Sequence, residues 1–344
     1  MKLNKPALLR VIAALSIVFL FTAGTHQLRK GSAAAADYPC GSSASSEVDV
    51  PIGQGATGAE IAKQLFELEV VKSGAAFFRL AVSDKRSERI APGTHRVEVN
   101  LCAKEALDQL LDPKRIVDLV SIVEGAWNSE VFEEMLKSGF QKGDINAAIK
   151  ATKPPEKFKS LEGLLFPAQY SFAEGTSAQT AIGSMVDRAV REMAEAGFNS
   201  GQSTYSPQQL LVIASIIQAE GEPNNFAQVS RVIHNRLEKG IPLQMDSTVH
   251  YVMKSRGNIF LSTKSTLIKS QYNTYRRYGL PPGPIGNPGA AAMQAAVNPA
   301  VGNWTYFITV APGDTRFTTE LEEFNVWKAE YKKNLRAGAF GSNK

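Results

Sequence analysis

Residue types that bind metals are scarce in this sequence. It contains two cysteines and four histidines in 344 residues. Neither cysteine lies near a second cysteine or a histidine at the spacing of a metal site. The histidines are scattered, and the H-E-x-x-H pattern of a helical zinc site does not occur. We therefore expect a protein that works without a metal ion or another cofactor.

Clustered basic residues are also missing. The net charge of +5 is small, and Lys and Arg are spread along the chain rather than gathered in the stripe that is typical of nucleic-acid-binding proteins. We expect no nucleic acid as partner, although an anionic polymer stays open. Hydrophobic residues at 44% and charged residues at 21% are ordinary for a globular protein. The length suggests two folded units once the tails are removed.

The first 30 residues predict a short cytoplasmic tail and a transmembrane anchor. Apart from Arg10, residues 7–24 are almost wholly apolar, close to the roughly 17–25 residues that a spanning helix needs. A cleaved export signal would show small residues soon after this run. Here residues 26–30, all polar except Leu28, intervene before the alanines of 33–36. The pattern favours an uncleaved anchor over a cleaved signal.

Residues 31–47 are rich in Gly, Ser and Ala, which is typical of a flexible tether. Folded sequence should begin near Val48. In an exported chain, Cys40 and Cys102 could form one disulfide that ties this tether to the first folded unit. Two separate thiols fit the sequence nearly as well.

Gly53, Gly55 and Gly58 spell G-x-G-x-x-G between a strand-like and a helix-like segment. This is where the fingerprint of a dinucleotide-binding protein would stand, with the phosphates at the helix N-terminus. A nucleotide enzyme is therefore the first hypothesis that the sequence raises.

An internal repeat argues against that hypothesis. Residues 55–66 match residues 125–136 without a gap at an offset of 70. The second copy keeps Gly125 but has Val123 and Asn128 where the other two glycines would be. Only one glycine belongs to the shared unit, and a strand, a glycine turn and a helix often follow one another without any phosphate.

The segment 207–220 predicts a helix with both ends marked. Ser206 is a good N-cap and Pro207 a good first residue. Gly221 and Pro223 mark the end. Glu220 is the last residue of this helix and its only acidic one.

Helical spacing places Glu220 on the same face as Ile217, Ile216 and Ile213. Burial and the negative end of the helix would both raise the pKa of this carboxyl group. A proton held near neutral pH is what a general acid needs. A frayed last turn that leaves Glu220 in water is the alternative.

Polar residues in two later segments are candidates for binding a sugar. A second helix is predicted over 224–240, followed by the mixed segment 241–253 and the Gly/Pro-rich loop 270–289. A strand over 303–310 and a charged helix from about Thr319 close the chain. Packing and hydrogen bonding within the loop is the competing interpretation of the candidates. They are Gln244, Asp246, Thr248, Tyr272, Asn273 and Thr274.

Four longer motifs give a resemblance to a known family. They are SLEGLLFPAQYSF (160–172), ASIIQAEG (214–221), VIHNRLEKGIPLQMDSTVHY (232–251) and QYNTYRRYGLPPGPIGNPGA (271–290). Together and in this order they resemble the YceG-like family of endolytic murein transglycosylases, over about 48–335. Several long motifs are far more specific than any short pattern.

The resemblance implies that Glu220 is the catalytic residue. Many members carry a second acidic residue where this chain has Gln218. Relatives also often have histidines at the positions of Arg316 and Phe324. If either histidine mattered, its work is done differently here.

The resemblance also implies an α+β fold class. After the N-terminal membrane helix comes a LysM-like α/β subdomain, and a mixed α+β lytic transglycosylase catalytic domain ends the chain. The expected segments are an anchor (1–30), a linker (31–47), the LysM-like subdomain (48–112), a second strand-helix unit with a helical connector (113–200) and the catalytic domain (201–340). The protein would be a single-pass protein of the cytoplasmic membrane with its catalytic domain outside.

The implied reaction is cleavage of the bond between N-acetylmuramic acid and N-acetylglucosamine in nascent peptidoglycan, which leaves 1,6-anhydro ends. Glycan strands, the membrane and cell-wall synthesis proteins are the expected partners. One rival is a hydrolytic muramidase, which needs a second carboxylate about 5–10 Å away, with Glu222 and Asp246 as candidates. The other rival is a glycan-binding scaffold in which Glu220 is inert.

Overall fold

The protein is described from a computed structural model that covers residues 35–41, 46–117, 119–201, 203–256 and 261–340. These residues form two compact units. The first contains the described residues up to Val117 together with Ser171–Glu174, and the second contains the rest. In the part of the chain that is described, no helix is both long and apolar enough to cross a membrane. The predicted anchor over 1–30 lies outside the described residues.

The first unit packs helices against a small antiparallel sheet. The sheet has the order β1-β2-β3, with Val50 of β1 opposite His95 of β2. Leu65, Phe77 and Leu107 are fully buried in its core. The elements are β1 (Glu47–Ile52), α1 (Gly58–Glu67), α2 (Gly74–Ser83), β2 (Gly93–Glu98), α3 (Ala103–Leu110) and β3 (Ile116–Val117).

Residues 35–41 are bonded to α3. Cys40 forms a disulfide with Cys102, the residue just before α3. The carboxylate of Asp37 accepts hydrogen bonds from the backbone N–H of Ala103 at 3.1 and 3.2 Å, and so caps the helix. Part of the predicted tether is therefore fastened to the first unit, and the interpretation of two separate thiols is wrong.

The second unit is mostly helical. It has two separate antiparallel pairs, β4 with β5 and β6 with β7. Its elements are β4 (Val120–Ser121), α4 (Asn128–Lys137), α5 (Lys142–Ala151), β5 (Gln169–Tyr170), α6 (Ala178–Glu195), α7 (Pro207–Glu220), α8 (Phe226–Glu238), α9 (Asp246–Met253), α10 (Ala290–Val297), β6 (Tyr306–Ala311), β7 (Asp314–Thr318) and α11 (Leu321–Arg336). The α+β class is confirmed, whereas the LysM-like character of 48–112 stays a prediction.

Helix α7 is the centre of the second unit. Every residue from Leu210 to Ile217 is buried, as expected for a helix surrounded by other elements. The side chain of Ser206 accepts from the N–H of Gln209 and caps the start of the helix. At the end, the N–H of Gly221 donates to the carbonyl of Ile217 at 3.0 Å. Both predicted ends of this helix are confirmed.

The predicted repeat is visible as two similar turns. Gly55 and Gly125 both have a positive φ, +72° and +78°, which glycine adopts without strain. A glutamate in the first turn of the helix after each glycine accepts a hydrogen bond from the backbone N–H of the residue just before that helix. Glu60 accepts from Thr57 and Glu130 accepts from Trp127, both at 2.7 Å. The N-terminus of α1, where a dinucleotide phosphate would bind, is therefore already capped by Glu60.

Buried amides hold the long loop between α9 and α10. The side-chain amide of Asn273 donates to the carbonyls of Thr266 and Ile268 at 2.9 and 2.8 Å. Asn287, also fully buried, accepts from the N–H of Leu165 and donates to the carbonyl of Ala126, both at 2.8 Å. These bonds fix the described residues of the loop around Asn273 and Asn287.

Candidate active site

Glu220 lies at the C-terminal end of α7, where its carboxylate meets the start of α9. Its atom Oε1 accepts from the backbone N–H of Ser247 at 3.1 Å and from the Ser247 hydroxyl at 2.5 Å. Ile213, Ile216 and Ile217 behind it are fully buried. The last turn of α7 is hydrogen-bonded and the side chain is held, so the alternative of a frayed end is wrong.

The surroundings raise the pKa of Glu220 above its ordinary value. Burial is the largest cause, because it penalises the charged form. The two hydrogen bonds from Ser247 lower the pKa and offset part of this effect. Nearby Asp246 raises it and Arg236 lowers it, both by smaller amounts. The group is therefore prepared to hold a proton at a pH where an exposed glutamate has lost it.

Arg236 is a buried cation beside this carboxyl group, and the sequence interpretation missed it. The guanidinium donates to the carbonyls of Thr305 at 2.6 Å and Leu243 at 2.7 Å. It also lies 5.3 Å from the ring centroid of Tyr306. Burial lowers the pKa of Arg236. The signal that could have found it is an arginine on the buried side of α8, because a fully charged residue is rarely placed there without a partner.

Asp246 is the first residue of α9 and lies next to Ser247. Its carboxylate accepts a hydrogen bond from the hydroxyl of Tyr275. Burial, followed by this hydrogen bond, raises the pKa of Tyr275 well above its usual range. Of the two second carboxylates considered from the sequence, Asp246 is thus close to Glu220 and engaged by a tyrosine. Glu222 is exposed beyond the end of α7.

Three of the predicted sugar-binding residues are fully buried. Thr248 donates to the carbonyl of Met245 at 2.6 Å, and its hydroxyl lies 3.0 Å from that of Thr274. Thr274 accepts from the N–H of Met245, and the amide of Asn273 is bonded inside the loop. For these three the structure fits the competing interpretation, packing and hydrogen bonding within the loop. They hold the wall of the site and do not face solvent.

The other three predicted residues remain accessible. Gln244 is exposed and has a positive φ of +52°, while its backbone N–H donates to the carbonyl of Thr274 at 3.2 Å. Tyr272 is half-buried and contacts the ring of Tyr251, with centroids 5.1 Å apart. Asp246, described above, is also half-buried. That these three contact the glycan stays a prediction.

The three departures from the family pattern have structural roles. The amide oxygen of Gln218 accepts from the N–H of Gly289 at 3.0 Å, a bond that a carboxylate could also accept. Arg316 is paired with Asp314 at 2.6 Å and with Glu330 at 2.9 Å. Phe324 stacks on Tyr306 at 5.3 Å between centroids.

A second partly buried carboxyl group, Glu162, was not singled out in the sequence. Its Oε1 accepts from the N–H of Asn128 at 3.0 Å, and its Oε2 accepts from the hydroxyl of Tyr251 at 3.1 Å. Burial raises its pKa, and these two hydrogen bonds lower it in part. Its neighbours in the sequence gave no signal, because both partners are remote in the chain.

Within the described residues, one group has the spacing of a metal site. It consists of Cys40, Cys102 and Glu105. Because the two sulfur atoms are joined in a disulfide, they cannot act as thiolate ligands.

Fold and site together define an α+β protein with a carboxyl group of raised pKa held at the end of a buried apolar helix. The chain belongs to the YceG-like family, whose sequence model matches residues 50–330. A crystal structure of a YceG-like protein from Listeria monocytogenes aligns with 81% of this chain and 98% of its own, with a TM-score of 0.53 and 25% identity.

Two bacterial relatives carry the name endolytic murein transglycosylase. The one from Bacillus subtilis (strain 168) is 34% identical over 207 residues, which are 59% of this chain and 56% of the relative. The one from Streptococcus pneumoniae (strain D39) is 30% identical over 177 residues, 50% of this chain and 32% of the relative. The matches thus span about half and about a third of the length of these relatives.

Proposed function

We propose that this protein is an endolytic peptidoglycan lytic transglycosylase. It cleaves the bond between N-acetylmuramic acid and N-acetylglucosamine in nascent glycan strands and leaves 1,6-anhydro-N-acetylmuramic acid ends. The observation that carries this proposal is the Glu220 carboxyl group, whose pKa is raised by burial at the end of α7. The family and the names of the two relatives support it.

Glu220 acts first as an acid and then as a base. In the first step its proton goes to the glycosidic oxygen, and the bond from that oxygen to the anomeric carbon breaks. The resulting carboxylate is stabilised by the two donors of Ser247, by the positive N-terminal end of α9 and by Arg236. In the second step it takes the proton of the 6-hydroxyl group of the muramyl residue, whose oxygen closes on the anomeric carbon.

One carboxyl group is enough for this sequence of steps, because the nucleophile belongs to the substrate. A hydrolase normally needs a second carboxylate as base or nucleophile. If the protein were a hydrolase, Asp246 would be this second carboxylate, since it is near enough to raise the pKa of Glu220. Tyr275 already occupies one of the two oxygens of Asp246, and the transglycosylase steps need no second carboxylate, so we place hydrolysis second.

The test is a product analysis of peptide-free glycan strands digested with the full-length chain. We expect mass spectrometry to show anhydro ends, and we expect Glu220→Gln to lower the rate by at least about 10²-fold, the lower range for loss of a general acid. Products heavier by one water would show a hydrolase. Cleavage by Glu220→Gln at the parent rate would require another active site or the scaffold function.

We also propose that residues 1–30 anchor the chain in the cytoplasmic membrane with the catalytic region outside, near cell-wall synthesis proteins. The disulfide of Cys40 with Cys102 supports an oxidising, extracytoplasmic location for the described part of the chain. Residues 48–112 are proposed as a LysM-like subdomain, followed by the segments 113–200 and 201–340. Accessibility of the folded region to protease added to intact spheroplasts would test the orientation.

A further inference from the structure

Three aromatic side chains from separate parts of the second unit meet at the start of α4. The ring of Trp127 contacts that of Tyr251 edge-on, with centroids 5.8 Å apart and an interplanar angle of 80°. The ring of Tyr251 contacts that of Tyr272 at 5.1 Å and 44°. All three side chains are only half-buried. We refer to Trp127, Tyr251 and Tyr272 as the aromatic cluster.

Two charged groups fix the geometry of this cluster. The Arg256 guanidinium lies 4.1 Å from the ring centroid of Trp127 and donates to Glu130 at 2.5 Å and to the Gly125 carbonyl at 2.7 Å. The second group is Glu162, whose carboxyl oxygen accepts a hydrogen bond from the hydroxyl of Tyr251 at 3.1 Å. A half-exposed aromatic cluster with this much polar support is more than a packing contact, because hydrophobic packing alone needs no partly buried carboxyl group bonded to one of its rings.

Helix α9 connects this cluster to Glu220. Ser247, which holds the Glu220 carboxylate, and Tyr251, which holds Glu162, are four residues apart on α9. Residues at this spacing lie on one face of a helix, about 6 Å apart along its axis. The cluster is therefore one helical turn along from the residue that holds the proposed acid.

The chemistry of the cluster suits a sugar ring. The faces of a pyranose carry C–H groups that pack on aromatic rings. Its hydroxyl and N-acetyl groups need nearby polar partners, and the half-exposed Arg256 guanidinium beside Trp127 is one. Aromatic side chains combined with a few polar groups are the usual lining of such sites.

We infer that the aromatic cluster is a subsite for an N-acetylated sugar of the glycan strand, next to the bond that is cleaved, and that Glu162 is a positioning residue that fixes the Tyr251 ring. This inference rests on the proposed function for the identity of the ligand. It adds to that function a binding site and a carboxyl group that have no part in the proton transfers.

The first experiment measures binding without cleavage. Full-length chain carrying Glu220→Gln is titrated with peptide-free glycan strands, alone and with Trp127→Ala added. Trp327→Ala is the matched control, since Trp327 is also half-buried and also has an arginine, Arg316, over its ring at 5.9 Å. We expect Trp127→Ala to weaken binding about tenfold or more, as for a central aromatic contact, and Trp327→Ala to leave it unchanged. Equal affinity for both variants would overturn the subsite.

Tryptophan fluorescence gives a second measurement in which position 127 always keeps an aromatic ring. In the Glu220→Gln chain, added glycan should change the emission, and the change should disappear with Trp127→Phe and persist with Trp327→Phe. A change that survives Trp127→Phe would contradict the subsite. Either result is independent of the product analysis, so loss of the subsite and loss of the proposed reaction are distinguishable.

The positioning role of Glu162 has its own test in the catalytically competent chain. Glu162→Ala should raise KM about tenfold with little change in kcat, because the Tyr251 ring loses its fixed orientation while Glu220 keeps its partners. Glu162→Gln keeps a carbonyl acceptor and should restore part of the affinity. An unchanged KM for Glu162→Ala, or a loss of kcat alone, would contradict the assignment.

Discussion

Glu220 links the protonation state of the site to the stability of the unit around it. Its pKa in the folded chain is raised above the ordinary value of 4.5. The folded state therefore binds this proton more tightly than the unfolded state does. The resulting stabilisation is fully present below the unfolded pKa and is lost as the pH rises through the folded pKa. Above pH 4.5 the fold thus loses stability as the pH rises, because the unfolded chain releases this proton more readily than the folded chain does.

Glu220→Gln should accordingly stabilise the protein at neutral pH and have no such effect in acid. The amide keeps an acceptor for Ser247 and cannot ionise, so the unfolded chain no longer gains by releasing a proton at this position. We expect the Tm to rise by about 2–4 °C for each kcal/mol gained, with the gain shrinking as the pH falls towards 4.5. Thermal unfolding of both chains across this pH range measures it. A constant difference in Tm at every pH would show that the effect does not come from protonation.

Glu162 shows which site residues escape sequence interpretation. Its partners Asn128 and Tyr251 are 34 and 89 residues away in the chain, so no local pattern could connect them. The buried residues Thr248, Asn273 and Thr274 show the converse difficulty. A polar side chain in a loop can face a substrate or hold the loop together, and its letter in the sequence is the same in both cases.

At the level of elements, α7 could be predicted because every signal agreed. The N-cap Ser206, the first-turn Pro207 and the terminal Gly221 all act locally, and the structure places the helix ends at these positions. Helix α8 was predicted with its ends shifted by about two residues, over 224–240, and is found at Phe226–Glu238. The loop between α9 and α10 is fixed by Asn273 and Asn287 through contacts that are distant in sequence.

The backbone at Gly163 packs closely against Pro284, and this contact can be tested by substitution. Gly163 has a φ of +86°, and an added Cβ would lie 2.8 Å from the ring atoms of Pro284. Gly139 has a similar φ of +93° but open space around it. Both substitutions to alanine strain the backbone, but only Gly163→Ala also overpacks its surroundings. We therefore expect Gly163→Ala to lower the free energy of unfolding by about 1–3 kcal/mol more than Gly139→Ala does. Urea unfolding of the two variants gives the difference, and equal free energies of unfolding would contradict this close packing.

At the scale of the whole molecule, the described chain consists of two compact units with separate cores. The disulfide belongs to the first, and the proposed catalytic groups belong to the second. Composition and length predicted two folded units, and the repeated strand, glycine turn and helix occur once in each. How the second unit is assembled from the segments 119–170 and 175–340 was beyond prediction, because bonds between them, such as that from Leu165 to Asn287, join residues 122 apart in the chain.

Reduction of the disulfide should therefore destabilise the first unit and spare glycan cleavage. Cys40 and Cys102 are 62 residues apart, and closing a loop of this length contributes about 4 kcal/mol in the chain-entropy model. We expect Cys40→Ser, or added reductant, to lower the unfolding temperature of the first unit. Calorimetry together with the product assay measures both effects. An unchanged unfolding profile, or a rate of cleavage that falls in step with reduction, would contradict this division of roles.

The turn at Gly125 shows how a small change gives a repeated motif a second task. In the first copy, one oxygen of Glu60 serves both the N–H and the hydroxyl of Thr57. In the second copy, tryptophan stands at the matching position, 127, and the other oxygen of Glu130 is left for Arg256. The same carboxylate that begins a helix therefore also holds a cation over an indole ring. Any exchange at position 130 would therefore disturb the helix start and the indole's surroundings together.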